Sequence, residues 1–86
     1  SIMDFPFIGQ IQLFALGVAP MGWQLCDGTT FSVAQNQALY SLIGNRFGGN
    51  AGQTFAVPNL LKASPYQAKR PMAFYISMTG MYPTNS

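Results

Sequence analysis

The sequence predicts an α+β module: one central helix packed on short, mostly antiparallel strands. Three observations carry this reading. Within residues 8–14 (Ile-Gly-Gln-Ile-Gln-Leu-Phe), Gln10, Ile11, Gln12 and Leu13 alternate polar and apolar side chains, the period of a half-buried strand. Residues 33–43 carry an apolar stripe at helical spacing between a Ser and a Gly. Residues 72–79 (Met-Ala-Phe-Tyr-Ile-Ser-Met-Thr) form a final run of strand-forming residues. At 86 residues the chain has room for one domain. A chain of this size buries roughly 60–65% of the surface its unfolded form exposes, so the core is thin.

The elements follow in order. Residues 1–7 read as an N-terminal arm. In the first strand Ile11 and Leu13 are expected to face the core, with Gln10 and Gln12 on the other face. Gly17, Pro20 and Gly22 then break the chain. Residues 23–26 give a second short strand, ended by Asp27-Gly28, a turn dipeptide whose residues tolerate positive φ. Ser32 is expected to cap the helix, with Gln35 completing a capping box. Ala34, Ala38, Leu39, Leu42 and Ile43 form its inward stripe, and Gly44 sits where a left-handed terminating residue is wanted. Trp23 and Cys26 are expected to anchor that stripe. Residues 47–54 are a glycine-rich loop, and residues 54–57 a short strand stopped by Pro58. The core motif thus spans 8–60, an irregular connector 61–71, and the C-terminal strand region 72–83. On the final strand Met72, Phe74, Ile76 and Met78 share one face; Ala73, Tyr75, Ser77 and Thr79 share the other.

Composition excludes most chemistry. The chain has no His and no Glu, and its only carboxylate side chains are Asp4 and Asp27. Triads that need His are impossible. One Cys with two Asp cannot build a tetrahedral zinc site within one chain. No catalytic residue, metal site or cofactor is therefore expected. Cys26 has no partner for an intrachain disulfide and reads as a buried small hydrophobe whose pKa the adjacent Asp27 raises. Arg46, Lys62, Lys69 and Arg70 are too sparse for a nucleic-acid stripe. The glycines between Gly44 and Gly52 lack the Lys of a phosphate loop and follow a helix rather than opening one.

The charge deficit is the most informative number. Charged residues make up 7% of the chain and hydrophobic residues 49%, where a soluble domain carries about 25% charge. A small monomer needs a charged surface to stay dispersed. No run approaches the roughly 20 apolar residues of a spanning helix, and residues 1–7 lack the basic start of a signal peptide. The chain is expected to be made in the cytoplasm and to turn much of its surface toward other subunits.

Three stretches in fixed order resemble the phage tail collar domain family. The first is residues 7–15, a glycine followed by an alternating strand that ends in Phe14-Ala15. The second holds the Gly22-Trp23 … Cys26-Asp27-Gly28 turn, the Gln35-Asn36 helix and the Gly48-Gly49 loop. The third is Thr54-Phe55-Ala56-Val57-Pro58-Asn59-Leu60. Residues 75–83 are similar to the C-terminal strand of longer members. The resemblance is to a minimal member without the long glycine-rich variable region, since Leu60 is followed within about a dozen residues by the final strand.

The resemblance implies a structural subunit of a phage tail or tail-like particle: a tail fibre, collar or tail-tip component located in the virion. It also implies a homotrimer that contacts other tail or baseplate proteins. Subunit contact is expected at Met72, Phe74, Tyr75, Met78, Met81 and Tyr82, and a Tyr75→Asp change is expected to dissolve the assembly without unfolding the subunit. Gly22, Trp23, Cys26, Asp27, Gly28, Gly48 and Gly49 are read as structural turn and core positions. The alternative is host attachment through bacterial polysaccharide, with Tyr40, Tyr66 and Asn50 as the glycan contacts. Neither reading calls for nucleic acid or membrane insertion.

Overall fold

A computed structural model describes residues 6–63 and 71–84. The chain is α+β: among the described residues there are five strands and one α-helix, in the order β1 (Ile11–Ala15), β2 (Trp23–Leu25), β3 (Thr30–Ser32), α1 (Gln37–Ile43), β4 (Thr54–Ala56) and β5 (Met72–Ser77). A single 3-10 turn, Leu61–Ala63, follows β4. Two antiparallel sheets result: β1-β5-β2, with the last strand in the centre, and β3-β4.

The central place of β5 decides the packing. Its residues alternate faces, and both faces are covered. Ile76 joins Ile8, Cys26, Leu39, Phe55 and Val57 in one buried cluster, with Phe74 and Met78 packed against it. Ala73 and Tyr75 join Phe14 in a second cluster, completed by Ala19, Trp23 and Leu25. The first cluster lies under α1 and the two-stranded β3-β4 sheet. The second is an aromatic group: Phe14 meets Trp23 edge-on at 5.0 Å and Tyr75 edge-on at 5.7 Å, a geometry that brings the positive edge of one ring to the negative face of another.

Several expectations are corrected here. Ile11 is 43% exposed, whereas Phe14 on the opposite face of β1 is buried. β1 is an edge strand, and its buried face is the one on which Phe14 joins Tyr75 and Trp23. Trp23 packs in the second cluster and not beneath the helix; only Cys26 reaches the helix side. Ser32 ends β3 instead of capping α1. Thr30 and Phe31 are β-branched and aromatic, and they find partners in Ala56 and Phe55. The helix starts after Asn36, whose side-chain amide donates back to the Ser32 carbonyl at 3.1 Å. Ala34 and Ala38 are exposed, so the inward face of α1 is Leu39, flanked by Tyr40, Leu42 and Ile43. Gly44 ends the helix with φ 56°, its amide donating to the Tyr40 carbonyl at 2.7 Å. β5 stops at Ser77, two residues before the expected end.

Candidate interaction surface

Among the described residues no cavity is detected and no cluster of His, Cys, Asp or Glu could hold a metal ion. No described helix is long and apolar enough to cross a membrane. What the fold builds is a set of rigid turns and an apolar surface.

The turns come first because they fix the surface. Gly22 precedes β2 with φ 89°, and a Cβ there would meet the Thr79 hydroxyl at 2.9 Å. After β2 the Asp27 carboxylate accepts bonds from the Thr29 hydroxyl and, at 3.0 Å, from the Thr29 amide. These hold the Asp27 carboxyl below the usual carboxylate range, the side-chain bond being the largest cause. Gly28 follows with φ 83°. Cys26 is wholly buried, and burial pushes its thiol up to about 11, with the Asp27 charge adding to the shift. The thiol is therefore a core group and not a nucleophile.

The loop between α1 and β4 is held by polar bonds. The Tyr40 hydroxyl donates to Asn45 Oδ1 at 2.7 Å and accepts from the Gly52 amide at 3.0 Å. Asn45 Nδ2 reaches the Gly48 carbonyl at 3.0 Å and the Thr54 carbonyl at 2.8 Å. Gly48 and Gly49 lie at φ 132° and 100°. At Gly49 the chain runs so close to β4 that a Cβ would stand 2.5 Å from the Thr54 carbonyl oxygen and 2.6 Å from Phe55 Cα.

The residues expected at a subunit contact separate into three groups. Tyr75 is 8% exposed and packs on Phe14, with its hydroxyl accepting from the Gly17 amide at 3.0 Å. This corrects the expectation of an outward Tyr75: a central strand has no outward face here. Met72, Phe74 and Met78 are half-buried, the last two against the first cluster. Met81 and Tyr82 are exposed, and they lie with exposed Phe7 in one place. Phe7 pairs with Met81, the Ile8 amide donates to the Met81 carbonyl at 2.8 Å, and the Tyr82 hydroxyl lies 2.6 Å from Ser41 Oγ on α1.

Of the three glycan candidates, Tyr40 is half-buried, with its ring 5.4 Å from Phe55 and its hydroxyl engaged. Asn50 is exposed. Tyr66 lies outside the described residues. The Tyr40 hydroxyl is bonded within the loop that carries Asn50, to Asn45 and the Gly52 amide, and its ring packs on Phe55.

Sequence reading missed a second apolar surface. The loop from β1 to β2 exposes Leu16 by 50%, Val18 by 67% and Met21 by 99%. Ile11, Phe47 and Leu61 are also exposed. The signal was present: no charged residue lies between Asp4 and Asp27. Gly17, Pro20 and Gly22 make this stretch a loop, which cannot bury its side chains in a sheet.

No curated protein and no solved structure matches the chain. A family model described as Phage Tail Collar Domain matches residues 9–65, from the turn before β1 to just past the 3-10 turn. That span holds the Gly22-to-Gly28 turn, α1 and the Gly48-Gly49 loop, the features that set the fold's shape. The chain belongs to the phage tail collar domain family, a family of phage tail structural proteins.

Proposed function

We propose that this chain is a subunit of a tail fibre, collar or tail tip that assembles through its apolar surface with copies of itself, as a homotrimer, and with neighbouring tail or baseplate proteins. The observation that carries this reading is the surface. Phe7, Met81 and Tyr82 on one side and Leu16, Val18 and Met21 on another stand open on a chain with 7% charged residues. Large apolar side chains grouped on a surface mark contact with another protein. The family supplies the context, a phage tail.

The rigid turns support the same role. Bonds such as Tyr40–Asn45 and Tyr75–Gly17 tie the loops to the core, as a part that must hold its shape in an assembly requires. The host-attachment reading keeps only exposed Asn50 among its described residues and is the weaker of the two.

The test is to tag the chain and purify the phage or tail-like particles of its source. The tag is expected in the particle at a fixed copy number, and to remain after a high-salt wash, since apolar contacts do not depend on ionic screening. Particles that assemble without the chain, or lose it in salt, contradict the reading.

A further inference from the structure

β1 is an edge strand whose outer side is unoccupied among the described residues. In an antiparallel pair, bonded residues alternate along the strand. The Ser77 amide donates to the Gln10 carbonyl, and the Leu16 amide donates to the Pro71 carbonyl. The bonds to β5 therefore fall on Gln10, Gln12, Phe14 and Leu16. The amide and carbonyl of Ile11, the amide and carbonyl of Leu13, and the amide of Ala15 point away from β5. The Ala15 carbonyl already accepts from the Val18 amide at 3.0 Å.

Such an edge is a template for another strand, and proteins usually guard it with Lys, Pro, a bulge or a covering loop. β1, Ile-Gln-Leu-Phe-Ala, carries no charge and no Pro, and Ile11 is 43% exposed on it. We infer that this edge pairs antiparallel with the β1 edge of a second copy about a twofold axis at Leu13. This inference rests on the reading of the chain as an assembling subunit, and it names the surface.

The free groups are self-complementary about that axis. The Leu13 amide meets the Leu13 carbonyl of the second copy, and the reverse. The Ala15 amide meets the Ile11 carbonyl of the second copy, and the reverse. Small Ala15 stands beside bulky Ile11, and Gln12 stands beside Phe14. An isologous contact requires this exchange, in which residue i meets j and j meets i. Charge agrees: the neutral run between Asp4 and Asp27 neither repels a second copy nor attracts a charged partner. The two β1-β5-β2 sheets become one continuous sheet. Alone the contact makes a dimer, and combined with a threefold contact it makes a dimer of trimers.

The test compares the solution mass of three proteins by light scattering. Ile11→Lys places a charge on an exposed side chain at the edge. Leu13→Pro removes an outward amide and leaves the bonds to β5 intact, a position where Pro is tolerated. Each is expected to halve the mass of the wild-type assembly, and if Leu13→Pro folds poorly Ile11→Lys still gives the answer.

A Leu13→Cys variant adds a positive signature. Paired residues in such a ladder have Cα atoms about 5.5 Å apart, within the span a disulfide bridges. It is expected to form a disulfide-linked pair under mild oxidation, while the wild type, whose single thiol is buried, does not. An assembled wild type whose mass is unchanged in both edge variants overturns the edge contact and leaves the assembly reading standing. A wild type that is monomeric at every concentration overturns both.

Discussion

Single residues set the limits of this fold, and Gly49 is the sharpest case. Its φ of 100° and its approach to Thr54 and Phe55 leave no space for a Cβ. Gly49→Ala is expected to cost about 2–4 kcal/mol, combining left-handed strain with overpacking. Gly52→Ala is the control, because Gly52 has a similar φ of 80° but nothing within 4 Å. It is expected to cost only about 1–2 kcal/mol, and urea denaturation of both variants separates the two terms. Cys26 gives a pH signature. Its thiol stays protonated in the folded state up to about 11, against an ordinary value of 9.0. The folded chain then binds more protons than the unfolded chain between those values, so stability falls as pH rises through that window. A Cys26→Ala variant is expected to lose this part of the alkaline decline, and in the native wild type the thiol is expected to react with a thiol reagent only at the rate of unfolding. Tyr75 reverses an expectation from sequence. With the ring against Phe14 and the hydroxyl bonded to the Gly17 amide, Tyr75→Asp is expected to unfold the subunit instead of releasing it from an assembly.

At the scale of elements, α1 is only seven residues long, about 10 Å. Too short to be stable alone, it depends on packing. Leu39 is its one fully buried side chain. Leu39→Ala is expected to cost about 2–5 kcal/mol by thermal or urea unfolding, whereas Ala38→Glu on the exposed face is expected to change stability by less than about 0.5 kcal/mol. The sequence pattern identified this helix and its Gly44 stop, because a stripe of Leu and Ile at helical spacing points one way. It misplaced the start by one turn. Ser32 satisfies the capping rule locally, but the pairing of Phe31 with Phe55 draws Ser32 into β3, and that pairing is separated widely along the chain. The same limit hid the centre of the sheet. Alternation along β5 is visible in sequence, but a strand buried on both faces and one buried on a single face differ only in their neighbours. The unpaired edge of β1 was equally invisible, since edge position is a property of sheet order.

For the whole molecule the balance of surface and charge governs behaviour. Turn positions from Gly22 to Gly28, and Gly48 and Gly49, were legible because glycine and Asp-Gly carry their geometry with them. The apolar patches were legible only as a charge deficit, without an address. The structure supplies the address: Phe7, Met81 and Tyr82 beside α1, and Leu16, Val18 and Met21 in the β1–β2 loop. Met21, at 99% exposure, makes no packing contribution to the subunit. A Met21→Lys change is therefore expected to leave the unfolding transition unmoved while raising solubility and weakening association.

Assembly is read most directly from the solution mass of the purified chain, by light scattering over a dilution series. An oligomer with a mass of several times 9.3 kDa is expected, persisting on dilution and in high salt because apolar burial holds it. A folded species of 9.3 kDa at every concentration would contradict it: these apolar residues would then be open to solvent on a stable monomer.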